Sequence, residues 1–200
     1  GIGHRGPLVR EGSRWLSLRW TALEPSNEMD GFARAVRARS AREYLDLLGS
    51  AYRVPAQNAL AADRGGRIAV RATGRFPLRP DGARIHDGST SASDWTGWRA
   101  LAQWPQAFDP PQGFLATANQ QAVDPRIDAL YYGADFRDPW RALGINALLR
   151  ADSSVTVDDM RRWQTDPGSA RADFFAPRFL EAAARSAAAT DDAALAEAAR

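Results

Sequence analysis

Two hundred residues, 21.8 kDa, of which 44% are hydrophobic and 25% charged, allow one sizeable core and exclude a wholly disordered, collagen-like or low-complexity chain. The net charge of +2 rests on 26 cations that are all arginine; without clustering, a basic balance is no nucleic-acid footprint, and no nucleic-acid partner is expected. Zero cysteines exclude disulfides, thiol nucleophiles and cysteine-ligated zinc, and no apolar run approaches the roughly 18 residues of a membrane span, so a soluble chain without a membrane partner is expected.

The opening residues, Gly1 to Arg5, lack the charged-then-apolar plan of a signal peptide. Gly6-Pro7-Leu8-Val9 reads as a turn entering a short strand, and Trp15 to Thr21 alternate apolar and polar as a β-strand does. Pro25-Ser26-Asn27-Glu28 supplies a turn and a helix cap. Two short helical patterns follow: Phe32, Ala33 and Val36, then Tyr44, Leu45, Leu47 and Leu48 behind Ser40, with Glu43 three residues on and Gly49 ending the helix. Asn58 to Asp63 and Ile68 to Thr73, joined through Gly65-Gly66, predict a β-hairpin.

From residue 74 to 113 prolines, glycines and tryptophans dominate, so regular elements there are short. Gly113 to Asn119 predicts one more strand. Pro139 to Leu149 is an amphipathic helical run with proline near its start, Thr156 with Asp159 caps another helix through Trp163, and Asp166-Pro167-Gly168 stops it. Beyond Pro177 the chain is an alanine-rich helical tail. The expected organisation is a β-rich portion over residues 1–122 and a helical extension over 123–200, with no internal repeat.

His4 and His86 are the two histidines, which excludes a multi-histidine metal site and leaves a serine–histidine–acid triad one of only two candidates. There is no Gly-x-Ser-x-Gly elbow and no Walker loop. Asp81 with Asp87, or Asp135 with Asp138, could pair for acid–base work on a glycan, or be solvated loop carboxylates. Asn58 stands at the mouth of an apolar strand, where an amide can be held rigid and aimed at developing negative charge; the alternative is an asparagine closing a turn. Arg75 and Arg79, spaced by a Phe-Pro bend, could orient that amide or bind a substrate carboxylate, or be surface arginines.

The order of several stretches resembles the penicillin acylase family of N-terminal-nucleophile hydrolases. They are His4-Arg5-Gly6-Pro7-Leu8-Val9, Leu18 to Ser26, Pro55-Ala56-Gln57-Asn58 with Ala62-Asp63 and Gly66-Arg67-Ile68, Gly74 to Arg79, Asp94 to Trp98, Asp109 to Gln120, and Arg141-Ala142. The likeness runs from Gly3 to about Phe179, and it departs from the family where Arg-Ala-x-Arg-Ile becomes Arg141-Ala142-Leu143-Gly144-Ile145 and Tyr-Pro-Tyr becomes Ala129-Leu130-Tyr131.

The resemblance implies an α+β fold, part of an αββα sandwich with mainly antiparallel strands, plus a helical C-terminal extension. It implies cleavage of N-acyl amide bonds, such as penicillin side chains or acyl-homoserine lactones, by an N-terminal serine whose α-amine is the base. Asn58 matches the family's oxyanion asparagine, and Arg79, with Arg75 close by, matches an orienting arginine near the nucleophile. Serines 13, 17, 26 and 40 carry no free α-amine, so the nucleophile is expected elsewhere in the same precursor, with the small chain and the nucleophile segment as partners and a small N-acyl substrate. The chain then reads as an interior fragment of the large chain, inactive alone. No cofactor and no metal ligand are expected within it, a structural calcium being implied for the complete enzyme, and a periplasmic or secreted location follows from the resemblance. The rival expectation is a non-catalytic module binding glycans or acidic polymers. It requires Trp95, Trp98 and Trp104 exposed together, whereas the acylase reading asks Asn58 and Arg79 to converge on one cleft.

Overall fold

The computed structural model describes residues 2–79, 81–190 and 193–198; Gly1, Pro80 of the proline-rich stretch, and Asp191, Asp192 and the last two residues of the alanine-rich tail lie outside the described residues. The chain divides into two compact units, Gly1–Arg137 and Asp138–Arg200, where the sequence suggested a division after residue 122. Residues 123–137 join the first unit through their tyrosines: Tyr132 Oη donates to the Gln103 carbonyl at 2.6 Å, Arg99 Nη2 donates to the Tyr131 carbonyl at 3.3 Å, and the Tyr132 ring meets Phe76 edge-on at 5.8 Å.

The first unit holds two three-stranded antiparallel sheets. In one, β1 (Ile2–Gly3), β2 (Gly6–Glu11) and β3 (Arg14–Ser17) follow chain order. The strand expected to reach Thr21 ends at Ser17, because Leu18 makes a last bond to the Pro7 carbonyl at 2.9 Å and the backbone then curls into a 3-10 turn over Thr21–Leu23. Gly6, with φ of +115°, could not be another residue: a Cβ there would stand 2.2 Å from the Leu18 carbonyl oxygen.

The second sheet has the order β4 (Gln57–Ala62), β5 (Ile68–Thr73), β6 (Gln106–Phe108). The expected hairpin is present, with Asn58 opposite Ala72 and Ala61 opposite Ala69. Asp63 fixes its turn by accepting from the amides of Gly65 at 2.8 Å and Arg67 at 3.2 Å, and it also accepts from Ala41 at 3.0 Å, an otherwise orphaned donor in the first turn of the overlying helix. These amides, Ala41 foremost, hold the Asp63 carboxyl below its ordinary value.

Two helices precede this sheet, α1 (Glu28–Ala35) and α2 (Ala41–Ala51). Ser40 is the cap read from sequence, its Oγ accepting from the Glu43 amide at 3.1 Å, and within the expected capping stretch 25–28 it is Asn27 whose Oδ1 accepts from the Asp30 amide at 3.3 Å. Gly49 does not end α2, which continues to Ala51. It is buried inside the helix, where a Cβ would come within 2.9 Å of Leu101 and 3.5 Å of Trp104. Close approach, not termination, is what this glycine provides. Leu45, wholly buried, packs with Ala41 and Ala69, while Ala35, Leu48 and Tyr52 form a second cluster; the small residues of β4 and β5 let α2 settle onto the sheet.

The expected strand over Gly113 to Asn119 is not a strand. Positive φ at Gly113 (+76°) and Asn119 (+63°) bends the segment at both ends, and side chains satisfy it instead of a ladder: Gln112 Nε2 donates to the Phe114 carbonyl and Gln120 Oε1 accepts from the Ala118 amide.

The second unit comprises α3 (Trp140–Ala151), α4 (Val157–Gln164), α5 (Ala170–Thr190) and α6 (Ala193–Ala198). Trp140 packs against Phe174 and Phe175, each at 5.5 Å, and draws α3 onto α5. The long helix starts well before Pro177, which stands inside it; only the donor to the Asp173 carbonyl is lost there, a defect that a helix of 21 residues absorbs.

At the start of α4, Thr156 and Asp159 cap each other: the Asp159 carboxylate accepts from the Thr156 hydroxyl at 2.6 Å and amide at 2.8 Å, and Thr156 Oγ1 accepts from the Asp159 amide at 3.2 Å. The Thr156 hydroxyl first, then its amide and the Arg162 guanidinium, lower the Asp159 carboxyl from 3.8 to about 2. A folded-state value below the unfolded one means that this stabilisation is complete above about pH 3.8 and disappears as pH falls through about 2. Backbone chemical shifts over Val157–Gln164 are therefore expected to hold steady from pH 7 to about 4 and to move toward coil between about 4 and 2. In Asp159→Asn the same transition should be absent; an unchanged acid profile in that variant would refute the assignment.

Candidate active-site residues

Alternation along β4 and β5 sorts the hairpin into two faces. Ala59 and Ala61 lie with Ala69, Arg71 and Thr73 beneath α2, while Asn58 and Leu60 lie with Val70 and Ala72 on the opposite face. Asn58 is thus the second residue of a strand rather than a turn closer. It is half-buried, and its Nδ2 donates to Thr117 Oγ1 at 2.7 Å. An amide nitrogen carries two hydrogens, and this bond takes one. The second can serve another acceptor on the face opposite α2.

The entry to β4 is also fixed. The Glu28 carboxylate, at the start of α1, accepts from the amides of Arg53 at 3.3 Å and Val54 at 3.1 Å, the segment that leads into Gln57. The Ser26 hydroxyl foremost, and these amides after it, hold the Glu28 carboxyl below its ordinary range. Ahead of β4, then, the strand carrying Asn58 is tied to the first turn of α1; along its length it is tied to β5.

Arg79 stands elsewhere. With His4, Arg5, Asp81, His86 and Trp95 it lines a cavity of about 780 Å³ between the first sheet and the loop over residues 81–95, a wall that does not include Asn58. The convergence of Asn58 and Arg79 expected from the resemblance is thus not made by this cavity, which holds Arg79 alone of the two. The Arg79 guanidinium lies 5.8 Å from the Trp95 ring and 5.2 Å from that of Tyr131, and a Cβ on Gly82 would be 2.5 Å from its Cζ. The nearby ring faces attract this cation without neutralising it. Its Nε is buried with no hydrogen-bond partner, and no carboxylate among the described residues forms an ion pair with it.

Arg75, the neighbouring candidate, is committed. Its Nη1 pairs with Glu24 at 2.8 Å and its guanidinium sits 3.8 Å above Trp98, while the other Glu24 oxygen takes Arg19 at 3.1 Å. Arg19 in turn lies 4.9 Å from Trp95, which meets Trp98 edge-on at 5.5 Å. Between the two arginines, Arg79 keeps the unspent charge. The loop beneath this ladder is held by Arg5, which donates to the Gly88 carbonyl at 2.6 Å, the Thr90 carbonyl at 2.7 Å and both oxygens of Asp94. Hydrogen bonding from Arg5 keeps the Asp94 carboxyl low. Arg5, Asp94 and Thr117 carry no local signal of these roles in the sequence, since the partners stand 89 and 59 residues apart.

The carboxylate pairs do not form an acid–base couple. Asp81 and Asp87 are each held below the ordinary range, first by the backbone amides of Ala83 and Ser89 respectively, so neither is a proton donor near neutrality. Asp135 and Asp138 are exposed. Nor do the tryptophans make a platform: Trp104 is buried, with Nε1 donating to the Arg99 carbonyl at 3.3 Å, and Trp95 and Trp98 are interleaved with arginines. Among the described residues no three histidine or acidic side chains gather in a way that would hold a metal ion.

The model of the penicillin amidase family matches residues 2–199. The chain is 30% identical over 169 residues to the acyl-homoserine lactone acylase QuiP of Pseudomonas aeruginosa, covering 82% of this chain and 19% of that protein. It is 34% identical over 105 residues to the penicillin acylase 2 proenzyme of Pseudomonas sp. (strain SE83), covering 51% of this chain and 13% of the relative. The chain thus spans less than a fifth of the length of these curated relatives. Its structure is similar to that of a thermostable penicillin G acylase from Alcaligenes faecalis, with a TM-score of 0.74 and 18% identity over 98% of this chain and 36% of the other. This likeness concerns the fold, which is α+β with antiparallel sheets and belongs to the N-terminal-nucleophile hydrolase sandwich.

Proposed function

Because this chain belongs to the penicillin amidase family, we propose that it is an internal portion of an amidohydrolase that cleaves N-acyl bonds, with Asn58 as a side-chain donor to the oxyanion and Arg79 as an orienting cation. The observation that carries the proposal is the Asn58 amide, anchored to Thr117 at 2.7 Å on the face of the hairpin opposite α2, with one N–H to spare. An unpaired arginine beside a cavity is the second element.

The nucleophile in this proposal is a serine at the N-terminus of another segment of the precursor. Its hydroxyl attacks the acyl carbonyl while its own α-amine takes the proton; the carbonyl π pair moves onto oxygen, where the Asn58 N–H receives it. Collapse returns the pair, breaks the C–N bond and passes the proton to the departing amine. Water then attacks the acyl-serine by the same route, releasing the carboxylic acid and restoring the hydroxyl. The relatives' names point to acyl-homoserine lactones and penicillins as members of the substrate class, and the precursor's remaining segments are the partners this chemistry requires. Periplasmic or extracellular action belongs to the same proposal.

The test is amine release by the complete, processed protein from a panel that includes penicillin G, N-acyl-homoserine lactones of several chain lengths and chromogenic N-acyl anilides. Turnover of at least one of these is expected. A correctly processed protein that releases no amine from any of them would overturn the reading.

A further inference from the structure

We infer that Thr117 is a positioning residue for the oxyanion donor: its hydroxyl holds the Asn58 amide in the orientation that aims the free N–H at the developing charge. The inference rests on the reading of Asn58 given above and extends it to a residue 59 positions further along the chain.

An asparagine amide turns about a broad, roughly two-fold terminal torsion, so a strand position alone does not fix where its N–H points. A donor acting on a transition state has to be held within roughly 0.5 Å and 10–20° of the productive geometry, which calls for a neighbour that locks it. Thr117 Oγ1 is the acceptor that the structure supplies, at 2.7 Å. Threonine suits the task because branching at Cβ stiffens its first torsion.

The backbone that presents Thr117 is itself held. Ala118 is buried, its amide donates to Gln120 Oε1 at 2.7 Å, and the Asn119 carbonyl accepts from the Arg137 amide at 2.9 Å. Asn119, at φ of +63°, turns the chain directly after the anchor in a conformation that asparagine tolerates better than most residues. The irregular segment expected to be a strand is thus a shaped support: a ladder would alternate its side chains, whereas this bend delivers one hydroxyl to one amide.

The alternative is that the bond merely satisfies two half-buried polar groups. The two differ in what they predict for kinetics in the complete, processed enzyme, using Thr117→Val, Thr117→Ser, Asn58→Ala and the double variant Asn58→Ala/Thr117→Val. With positioning, Thr117→Val lowers kcat by roughly ten- to a hundredfold with KM little changed, and Thr117→Ser recovers most of it. In the Asn58→Ala background Thr117→Val has no further effect, because its only route to the reaction has been removed. If Asn58→Ala loses turnover while Thr117→Val keeps it, the positioning role is wrong and the oxyanion reading stands. If Asn58→Ala keeps turnover, the reading beneath fails and this inference fails with it. Independent, multiplying effects of the two substitutions would also overturn it. Should Thr117→Val not fold, Thr117→Ser and Thr117→Ala carry the same comparison, with Ser near wild type and Ala low.

Discussion

Asn58→Ala in the complete, processed enzyme is expected to lower kcat by about a hundred- to a thousandfold while KM changes little. The reason lies in when the bond is made. A carbonyl oxygen in the ground state is a modest acceptor; in the tetrahedral intermediate it carries a full charge inside a site of low dielectric, and a donor already in place loses nothing to reorganisation. Asn58 is already in place because β4 is paired with β5 along its whole length and the amide is anchored to Thr117. Asn58→Asp, equal in size, should be worse than alanine, since it sets a negative carboxylate against the developing oxyanion. Single-turnover measurements separate acylation from product release and make the comparison clean. An alanine variant that keeps kcat within about threefold of wild type, a loss far below that of other such donors, would remove Asn58 from the mechanism.

Arg71→Ala is expected to destabilise the sheet that carries Asn58 by on the order of 3 kcal/mol. Arg71 is 3% exposed and sits on β5 beneath α2. Its Nη1 donates to the Leu45 carbonyl at 2.8 Å, Nη2 to Asp46 at 2.7 Å and Nε to Gln106 on β6 at 2.9 Å. Removing it leaves Gln106 Oε1 without this donor and opens a void under the helix, and both costs act in the same direction. Lysine keeps the charge but not the fork, so Arg71→Lys should recover only part of the loss. Hydrogen exchange of the Ala69 to Thr73 amides provides the readout: a 3 kcal/mol loss corresponds to roughly a hundredfold drop in protection. Unchanged protection in Arg71→Ala would show that the buried guanidinium is dispensable to this packing.

Much of the first unit was legible because its signals are local. The hairpin follows from two apolar runs and Gly65-Gly66, and the helix starts from Asn27, Ser40 and Thr156, whose side chains bond amides three residues on. Where a residue type has two uses, local sequence points to the commoner one, and the tertiary context can select the other. Gly49 resembles a helix terminator but serves packing, because Leu101 and Trp104 need the space. Gly113 to Asn119 resembles a strand, yet finds no ladder among the described residues. β6 gave no signal at all: three residues inside a proline- and tryptophan-rich stretch carry no period, and only pairing with β5 makes them a strand.

By itself the sequence determined the family and the identity of the candidate groups, through an ordered set of short motifs, and the local elements, through caps, turns and alternation that act within a few residues. Tertiary structure decided which group is free to act. Arg75 and Arg79 are equivalent in the sequence, but Glu24, 51 residues before Arg75, neutralises one and leaves the other between two aromatic rings. Asn58 acquires its anchor only when the loop carrying Thr117 folds back onto β4. Propensity and capping decay within a turn of helix or a pair of strand residues, whereas the pairing of charges and the aiming of an amide depend on which distant segments the collapsed chain brings to hydrogen-bonding distance.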